Sequence, residues 1–510
     1  MLIGDVVRRN AEVAPDAPAA SMGERVWTHA QLDGAANRLA AALEGHGVGH
    51  GDRVVSWADT ALDVLPLYVA CARLGAVFAP LNARYGLEEA KPVALMARPK
   101  LLVADVARAE PGAELIRDSG IPMLGHIGRE DDRTLPGHDL SLATLGTGGS
   151  APRVPALRET DPHVLFFTSG STGRPKGVVL SHRASWLRGF QGVFRDVPER
   201  SVCMFPLFHM AGFTLAIAAW QTRGELALVA SASAEELLSA VERRRANRLY
   251  AIPAVWARVL EVDPGKWDTS SLREADTGTS AVPIELVQAL KERFPETATR
   301  IYYGSTEAGA GTALPDADVL RKPGSVGPPA PGVDLRVADD GEILLRSAYL
   351  FDGYFDDPEA TAAALRDGWL HTGDLGERDA EGYLHVVGRV SELIRTGGEA
   401  VAPAEVEAVL ASHPDVAEAA VIGVPDASWG EVVCAVVVPA PGATPELEAL
   451  QRHCEASLAR FKKPRRLVCV AALPRTAATG QVQRALLREQ VQTGRAERRG
   501  RGVAVRAESE

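Results

Sequence analysis

Apolar positions along this chain switch between two spacings, and the switching predicts its elements. Behind Thr28, the residues Leu32, Ala36, Leu39 and Leu43 fall at helical intervals, so 28–43 reads as a helix with a Thr cap. Arg53–Trp57 reads as a strand, 63–74 as a helix and Val77–Leu81 as a short, continuously apolar strand. This β–α–β rhythm over residues 1–150 implies a parallel or mixed sheet with helices packed on it. A polar Gly/Pro-rich loop at 145–155 precedes an apolar run at 163–167, and strands and helical stretches alternate again over 200–310. Residues 333–346 predict an antiparallel hairpin turned at Asp340-Gly341.

The texture changes after about residue 390. Pro403–Leu410 reads as a helix with Pro in its first turn, 417–424 and 432–438 as paired strands, and 446–458 as a helix, together a small α+β unit. The end, 493–510, is rich in Arg, Gly and Glu and poor in apolar residues, and reads as a disordered tail. No internal repeat suggests a solenoid.

Composition narrows the class. The chain has 510 residues, enough for more than one structural unit, with 46% apolar and 24% charged residues, an ordinary balance for a globular protein. A net charge of −11 offers no global basic field for nucleic acid or an anionic membrane. Cys71, Cys203, Cys434, Cys454 and Cys469 are odd in number and form no CxxC pair, which argues against a metal cluster or disulfide frame. The N-terminus lacks the order of a signal peptide and no run of about 18 apolar residues occurs; a cytoplasmic protein without an integral membrane segment is the expectation.

The most informative stretch is Thr168-Ser169-Gly170-Ser171-Thr172-Gly173-Arg174-Pro175-Lys176-Gly177, directly after a buried-type strand. Glycines permit close backbone approach, hydroxyls and backbone N–H groups can ring a phosphate, and Lys176 adds positive charge. It is not a Walker A loop: Lys176 is followed by Gly177 and a β-like Val178-Val179-Leu180 rather than by Ser/Thr opening a helix.

The loop resembles the signature loop of the adenylate-forming superfamily, which includes acyl-CoA synthetases, adenylation domains and luciferases, and further family-like motifs follow in the family's order over nearly the whole chain. The resemblance is strongest to fatty-acid and aryl acid–CoA ligases. It implies an α/β fold: a large N-terminal domain of mixed sheets packed with helices (1–388), a hinge (389–391), a small mobile α+β C-terminal domain (392–492) and the tail (493–510). It also implies roles. Thr168 to Gly173, with Thr172 and Lys176 as catalytic members, would hold the ATP phosphates. In Tyr302-Tyr303-Gly304-Ser305-Thr306-Glu307, Tyr303 with Gly304 would face adenine, Thr306 the α-phosphate, and Glu307 would hold Mg2+. Asp374, in Gly373-Asp374, would accept from the ribose hydroxyls and Arg389 would reach the nucleotide. In Phe205-Pro206-Leu207-Phe208-His209-Met210, His209 would gate the carboxylate, with Met210, Tyr302 and Thr277-Gly278-Thr279-Ser280 around the acyl group. Met210, Phe213, Trp220, Tyr250 and Trp256 make the pocket segments largely apolar, which favours a fatty or aryl acid. Ser391 stands at the family's pivot, and Gly397, Gly398 and Glu399 would border the thiol channel.

One position departs from the pattern. The family closes on a lysine in Pro-Arg-Thr-x-x-Gly-Lys, whose charge supports attack at the α-phosphate. This chain reads Pro474-Arg475-Thr476-Ala477-Ala478-Thr479-Gly480-Gln481, one residue longer and with neutral Gln481 in the lysine's place. Three readings stay open: slow adenylation with Arg484 or Arg475 partly substituting, a disabled or altered form, or a chain that performs only the thioester half. The leading expectation is an AMP-forming acid–thiol ligase using ATP, Mg2+ and coenzyme A. The alternatives are an acyl-AMP ligase loading a carrier protein in trans and a non-catalytic acyl-adenylate binder; no feature asks for an oxidative, luciferase-like activity.

Overall fold

The computed structural model describes residues 1–128, 137–141, 144–145, 156–169, 175–190, 196–455, 457–476 and 480–493, the side chains of Ser169 and Pro264 excepted. The chain forms two compact units, Met1–Asp334 with Leu345–Leu370, and Leu335–Leu344 with His371–Glu510.

The first unit carries two eight-stranded sheets. In one, the strands run in the order Gly309–Leu314, Ala298–Ser305, Glu274–Gly278, Arg248–Tyr250, Arg200–Cys203, Glu225–Leu228, Pro18–Met22, Arg25–Thr28. Its interior pairings are parallel and only the two outermost are antiparallel. In the other, Pro162–Ser169 joins a parallel set through Val77–Leu81 and pairs antiparallel with Pro175–Ser181. The expected rhythm is present. Val77–Leu81 is buried along its whole length, as a strand covered on both faces must be. Thr28 caps the helix His29–Gly45 through a reciprocal capping box with Gln31, and Val64–Leu74 ends on left-handed Gly75.

The second unit is organised on the antiparallel pair Val416–Asp426 and Gly430–Pro439. Its side chains alternate with period two between two apolar clusters. Val421, Val433, Ala435 and Val437 face the helices Pro403–Leu410 and Leu447–Glu455. Ala420, Ile422, Cys434 and Val436 face Leu487 of Arg484–Gln492. Both sheet faces are therefore covered, which is why these strands read as continuous Val/Ala runs. The hairpin expected at 333–346 turns through Asp340-Gly341, with Gly341 at φ 86° and the Ala338 amide donating to the Glu342 carbonyl at 2.9 Å. The five cysteines are free thiols. The tail at 494–510 lies outside the described residues.

A buried histidine pair lies near the start of the chain. His163 and His182 stack with centroids 4.7 Å apart and planes 19° apart. His163 Nε2 meets Ser185 Oγ at 2.7 Å, and the Ile3 amide donates to His182 Nδ1 at 3.3 Å. Burial pulls the His182 pKa down to about 4. The unfolded chain therefore binds the extra proton first, so stability is complete above pH 6.5 and falls as pH drops toward 4, by roughly 3 kcal/mol for this group. Thermal melts between pH 7.5 and 4.5 are expected to show that decline and to show a shallower one for His182→Gln. Parallel slopes for the two proteins would contradict it.

Candidate active site

The parallel strands of the first sheet end side by side, and the side chains expected around the acyl group sit at those carboxyl ends, where open α/β sheets place ligands. Phe205 follows Arg200–Cys203 and stacks on His209 with centroids 5.8 Å apart. It also meets Tyr250, at the end of Arg248–Tyr250, edge-on at 5.3 Å. Tyr250 in turn lies 5.8 Å from Tyr302. Gly278 closes the arc at φ 152°: a Cβ there would fall 2.2 Å from the Tyr302 carbonyl and 3.0 Å from Tyr250 Oη. Thr279 continues in left-handed conformation at φ 68°, a strained choice for a β-branched residue. Thr277 is fully buried, while Ser280 is exposed. Phe213, Trp220 and Trp256, expected among the apolar pocket segments, belong to the core instead. Phe213 packs on Tyr68 and Phe78, and the two indole N–H groups donate to the Ala19 and Asp276 carbonyls.

His209 caps the helix Met210–Gln221, its Nδ1 accepting from the Ala211 amide at 3.2 Å. With Nδ1 accepting, the ring proton sits on Nε2. Burial pulls its pKa down to about 4, so the ring is neutral at physiological pH. Met210 accepts from Thr214 Oγ1 through its sulfur at 3.0 Å.

Beneath these strand ends lies a buried charge network. Arg248 donates to Asp276 at 2.8 Å and to Glu199 at 3.1 Å, and Arg300 donates to Asp276 at 2.8 Å. Such a network ties neighbouring strands together only while every member stays paired.

The strands Pro162–Ser169 and Pro175–Ser181 hold the two ends of the phosphate-type loop. Thr168 lies directly opposite Lys176, and Ser169 opposite Pro175. Gly170, Ser171, Thr172 and Gly173 lie outside the described residues. Ala298–Ser305 and Gly309–Leu314 form a second hairpin whose tip is Thr306-Glu307-Ala308, with Tyr303 paired to Thr312. Gly304 allows its tight closure, because a Cβ would fall 1.9 Å from the Gly309 carbonyl. Arg188, only 8% exposed, fixes that tip. It donates to the carbonyls of Thr306 at 2.7 Å, Glu307 at 2.8 Å and Tyr349 at 2.9 Å. Burial lowers its pKa to about 10, which leaves it charged at neutral pH. The Tyr354 hydroxyl donates to Glu307 Oε1 at 2.9 Å, and the Lys176 ammonium stands 4.6 Å from the centre of the Tyr354 ring. A cavity of about 330 Å3 opens at Lys176, between Leu95 and Met96 on one side and Tyr354 and Phe355 on the other.

In the second unit, Asp374 and Arg389 are cross-strand neighbours joined by an ion pair of 2.9 Å, Asp374 being largely buried. Ser391 lies exposed in the short turn Val390–Glu392. Gly397 and Gly398 form the two-residue turn between Ile394–Thr396 and Glu399–Val401, at φ 60° and 88°. Positive φ at both centres is the turn type that suits a tight hairpin. The Gly397 amide donates to the Trp429 carbonyl at 2.9 Å. Gln481 is exposed and its backbone is held by Thr476 in both directions, at 2.7 and 3.0 Å. Arg484 is engaged with Glu392 and Glu407 at 2.7–2.9 Å, and Arg475 with Glu418 and the Gly480 carbonyl.

Arg188 and Tyr354 carry no motif that marks them in the sequence. Their signal is spatial: Gly353-Tyr354 pairs with Val178-Val179, which brings Tyr354 beside Lys176.

Residues 7–355 match the family model described as AMP-binding enzyme, and residues 405–479 match the AMP-binding enzyme C-terminal domain. The chain is 34% identical to an indoleacetate–CoA ligase of Aromatoleum aromaticum, over 96% of this chain and 98% of that protein. It is 38% identical, over 93% and 96%, to a Mycobacterium tuberculosis CoA ligase whose acyl group is a propanoyl chain on a methyl-dioxo-octahydroindenyl ring system. Among solved structures, ATP-bound MatB from Rhodopseudomonas palustris superposes with a TM-score of 0.85 at 31% identity, covering 96% of this chain and 99% of that one. Among the described residues no helix is long and apolar enough to cross a membrane.

Proposed function

Because this chain belongs to the AMP-binding enzyme family of the adenylate-forming superfamily, we propose that it is an ATP-dependent acid–CoA ligase acting on a fatty or aryl carboxylic acid. The observation that carries the reading is the meeting of Lys176 and Glu307 on Tyr354. It gives a cation and a carboxylate a common anchor beside a hydroxyl-rich loop. In the first half-reaction a carboxylate oxygen of the acid attacks the α-phosphorus of ATP, an acyl-AMP forms, and pyrophosphate leaves. In the second, the thiol sulfur of coenzyme A attacks the acyl carbon, AMP leaves, and the thiol proton passes to solvent.

The residues divide the work. Lys176 and the hydroxyls from Thr168 to Thr172 would hold the phosphates. Tyr303, Gly304 and Thr306 would face adenine and the α-phosphate, and Asp374 and Arg389 the ribose and nucleotide. Glu307 suits magnesium: this cation takes one or two carboxylates and completes its shell from phosphate and water, and with Tyr354 on Oε1, Glu307 keeps Oε2 as a hard oxygen donor. Bound there, the ion would offset phosphate charge as pyrophosphate departs. His209, neutral and carrying its proton on Nε2, would donate to the substrate carboxylate without competing as a second cation. Tyr250 and Tyr302, half-buried at the strand ends, favour a cyclic acyl group, and the two relatives named above carry ring-bearing acids in their names. Gly397, Gly398 and Glu399 would border the pantetheine arm, with Ser391 as pivot between the half-reactions; domain limits of 1–388 and 392–492 go with that role.

The test incubates the full chain with ATP, Mg2+ and a panel of aryl and fatty acids, supplying either coenzyme A or a phosphopantetheinylated carrier protein. Thioester on coenzyme A with AMP release is expected, fastest with a cyclic acid. Thioester on the carrier alone would favour the carrier-loading alternative. Nucleotide binding without AMP under any acid would favour a binder.

A further inference from the structure

Tyr354 touches two charged groups of the nucleotide site by two different chemistries, and its own placement is over-determined. Its backbone pairs with Val178 across the strand, and its amide donates to Thr361 Oγ1 at 2.8 Å. Phe351 packs edge-on against its ring at 4.9 Å. From that fixed ring the hydroxyl donates to Glu307 Oε1 at 2.9 Å, and the ring face holds the Lys176 ammonium at 4.6 Å.

We propose that Tyr354 is a positioning residue for nucleotide activation, its hydroxyl aiming the Glu307 carboxylate and its ring holding Lys176 without neutralising it. This deepens the ligase reading and rests on it. The distinction from an ordinary ion pair matters. A carboxylate next to Lys176 would fix the ammonium but take up its charge. An aromatic face attracts the ammonium through its quadrupole and leaves the full charge available for a phosphate. The hydroxyl acts the other way on Glu307: it occupies one oxygen with a neutral donor and sets the angle at which the second is presented. Arg188 fixes the backbone of the same hairpin tip, so Glu307 is held from both its backbone and its side chain.

The test uses the full chain and two variants. Tyr354→Phe keeps the ring and removes only the hydroxyl; Tyr354→Leu removes both contacts. Calorimetric titration of ATP with and without Mg2+ reads binding directly, and acid-dependent pyrophosphate release at graded Mg2+ reads activity. Tyr354→Phe is expected to weaken apparent Mg2+ affinity in the ATP complex by about 10–100-fold, the usual effect of losing an outer partner of a metal ligand. Excess Mg2+ is expected to restore its turnover, and binding of ATP without metal is expected to be unchanged. Tyr354→Leu is expected to lose metal-free ATP affinity as well. Tyr354→Phe serves alone if the leucine variant fails to fold. Unchanged Mg2+ dependence in Tyr354→Phe, or a loss that excess Mg2+ does not restore, would overturn the proposal. If the unmodified chain releases no pyrophosphate with any acid, the ligase reading fails, while calorimetry still decides whether Tyr354 positions Glu307.

Discussion

Gln481→Lys is expected to raise acid-dependent pyrophosphate release by about 10²–10³-fold, the scale on which a single transition-state donor acts in other enzymes. A charge facing the α-phosphate could come from Arg484 or Arg475, and the structure engages both elsewhere. Arg484 spans Glu392 and Glu407, and Arg475 is taken up by Glu418 and the Gly480 carbonyl. Moving either would leave partly buried or exposed carboxylates without their partner, so substitution by a neighbouring arginine is the weakest of the three readings of Gln481. The backbone at 481 is already fixed by Thr476, and the side chain is exposed, so lysine fits without repacking. Initial rates of the two proteins on the same acid panel check this. Equal rates would mean that the glutamine amide suffices.

Glu307→Ala carries the second large effect, a fall of more than about 10²-fold in the same reaction. Outer partners of a metal ligand are worth 10–100-fold, and the ligand itself must exceed its partner. The variant also leaves Tyr354 Oη without its acceptor, so Tyr354→Phe placed on top of Glu307→Ala is expected to add little. A double-mutant cycle measures that coupling. Additive losses would separate the two residues.

Legibility varied with the kind of physics involved. Period and caps were readable because they are local. The Thr28 cap, the all-apolar 77–81 strand and the paired valine strands of the second unit follow from the local order of side chains alone. Gly397 and Gly398, expected only as a border of the thiol channel, form a turn whose positive φ values require glycine. The helix expected over 446–458 is shorter, Leu447–Glu455. Aromatic residues were harder, because an indole in a pocket wall and one in a core have the same composition. Trp220 and Trp256 are distinguished only by the backbone carbonyls they reach, at Ala19 and Asp276. Contacts far apart in sequence were not readable at all. The Arg248–Asp276–Glu199 network and the Tyr354–Glu307 bond both depend on strand order, which hydrophobic spacing does not encode. The candidate site was accessible through its motif order, and the side chains that hold its parts in place were accessible only in three dimensions.

If the ligase reading holds, this chain forms an acyl-adenylate. Exchange of labelled pyrophosphate into ATP, run without coenzyme A, tests it most directly, because the exchange requires the adenylate to form and reverse. Exchange is expected to need both a carboxylic acid and Mg2+, to be slow in this chain and to be strongly raised by Gln481→Lys. ATP binding with no exchange in either protein, for any acid of the panel, would contradict it.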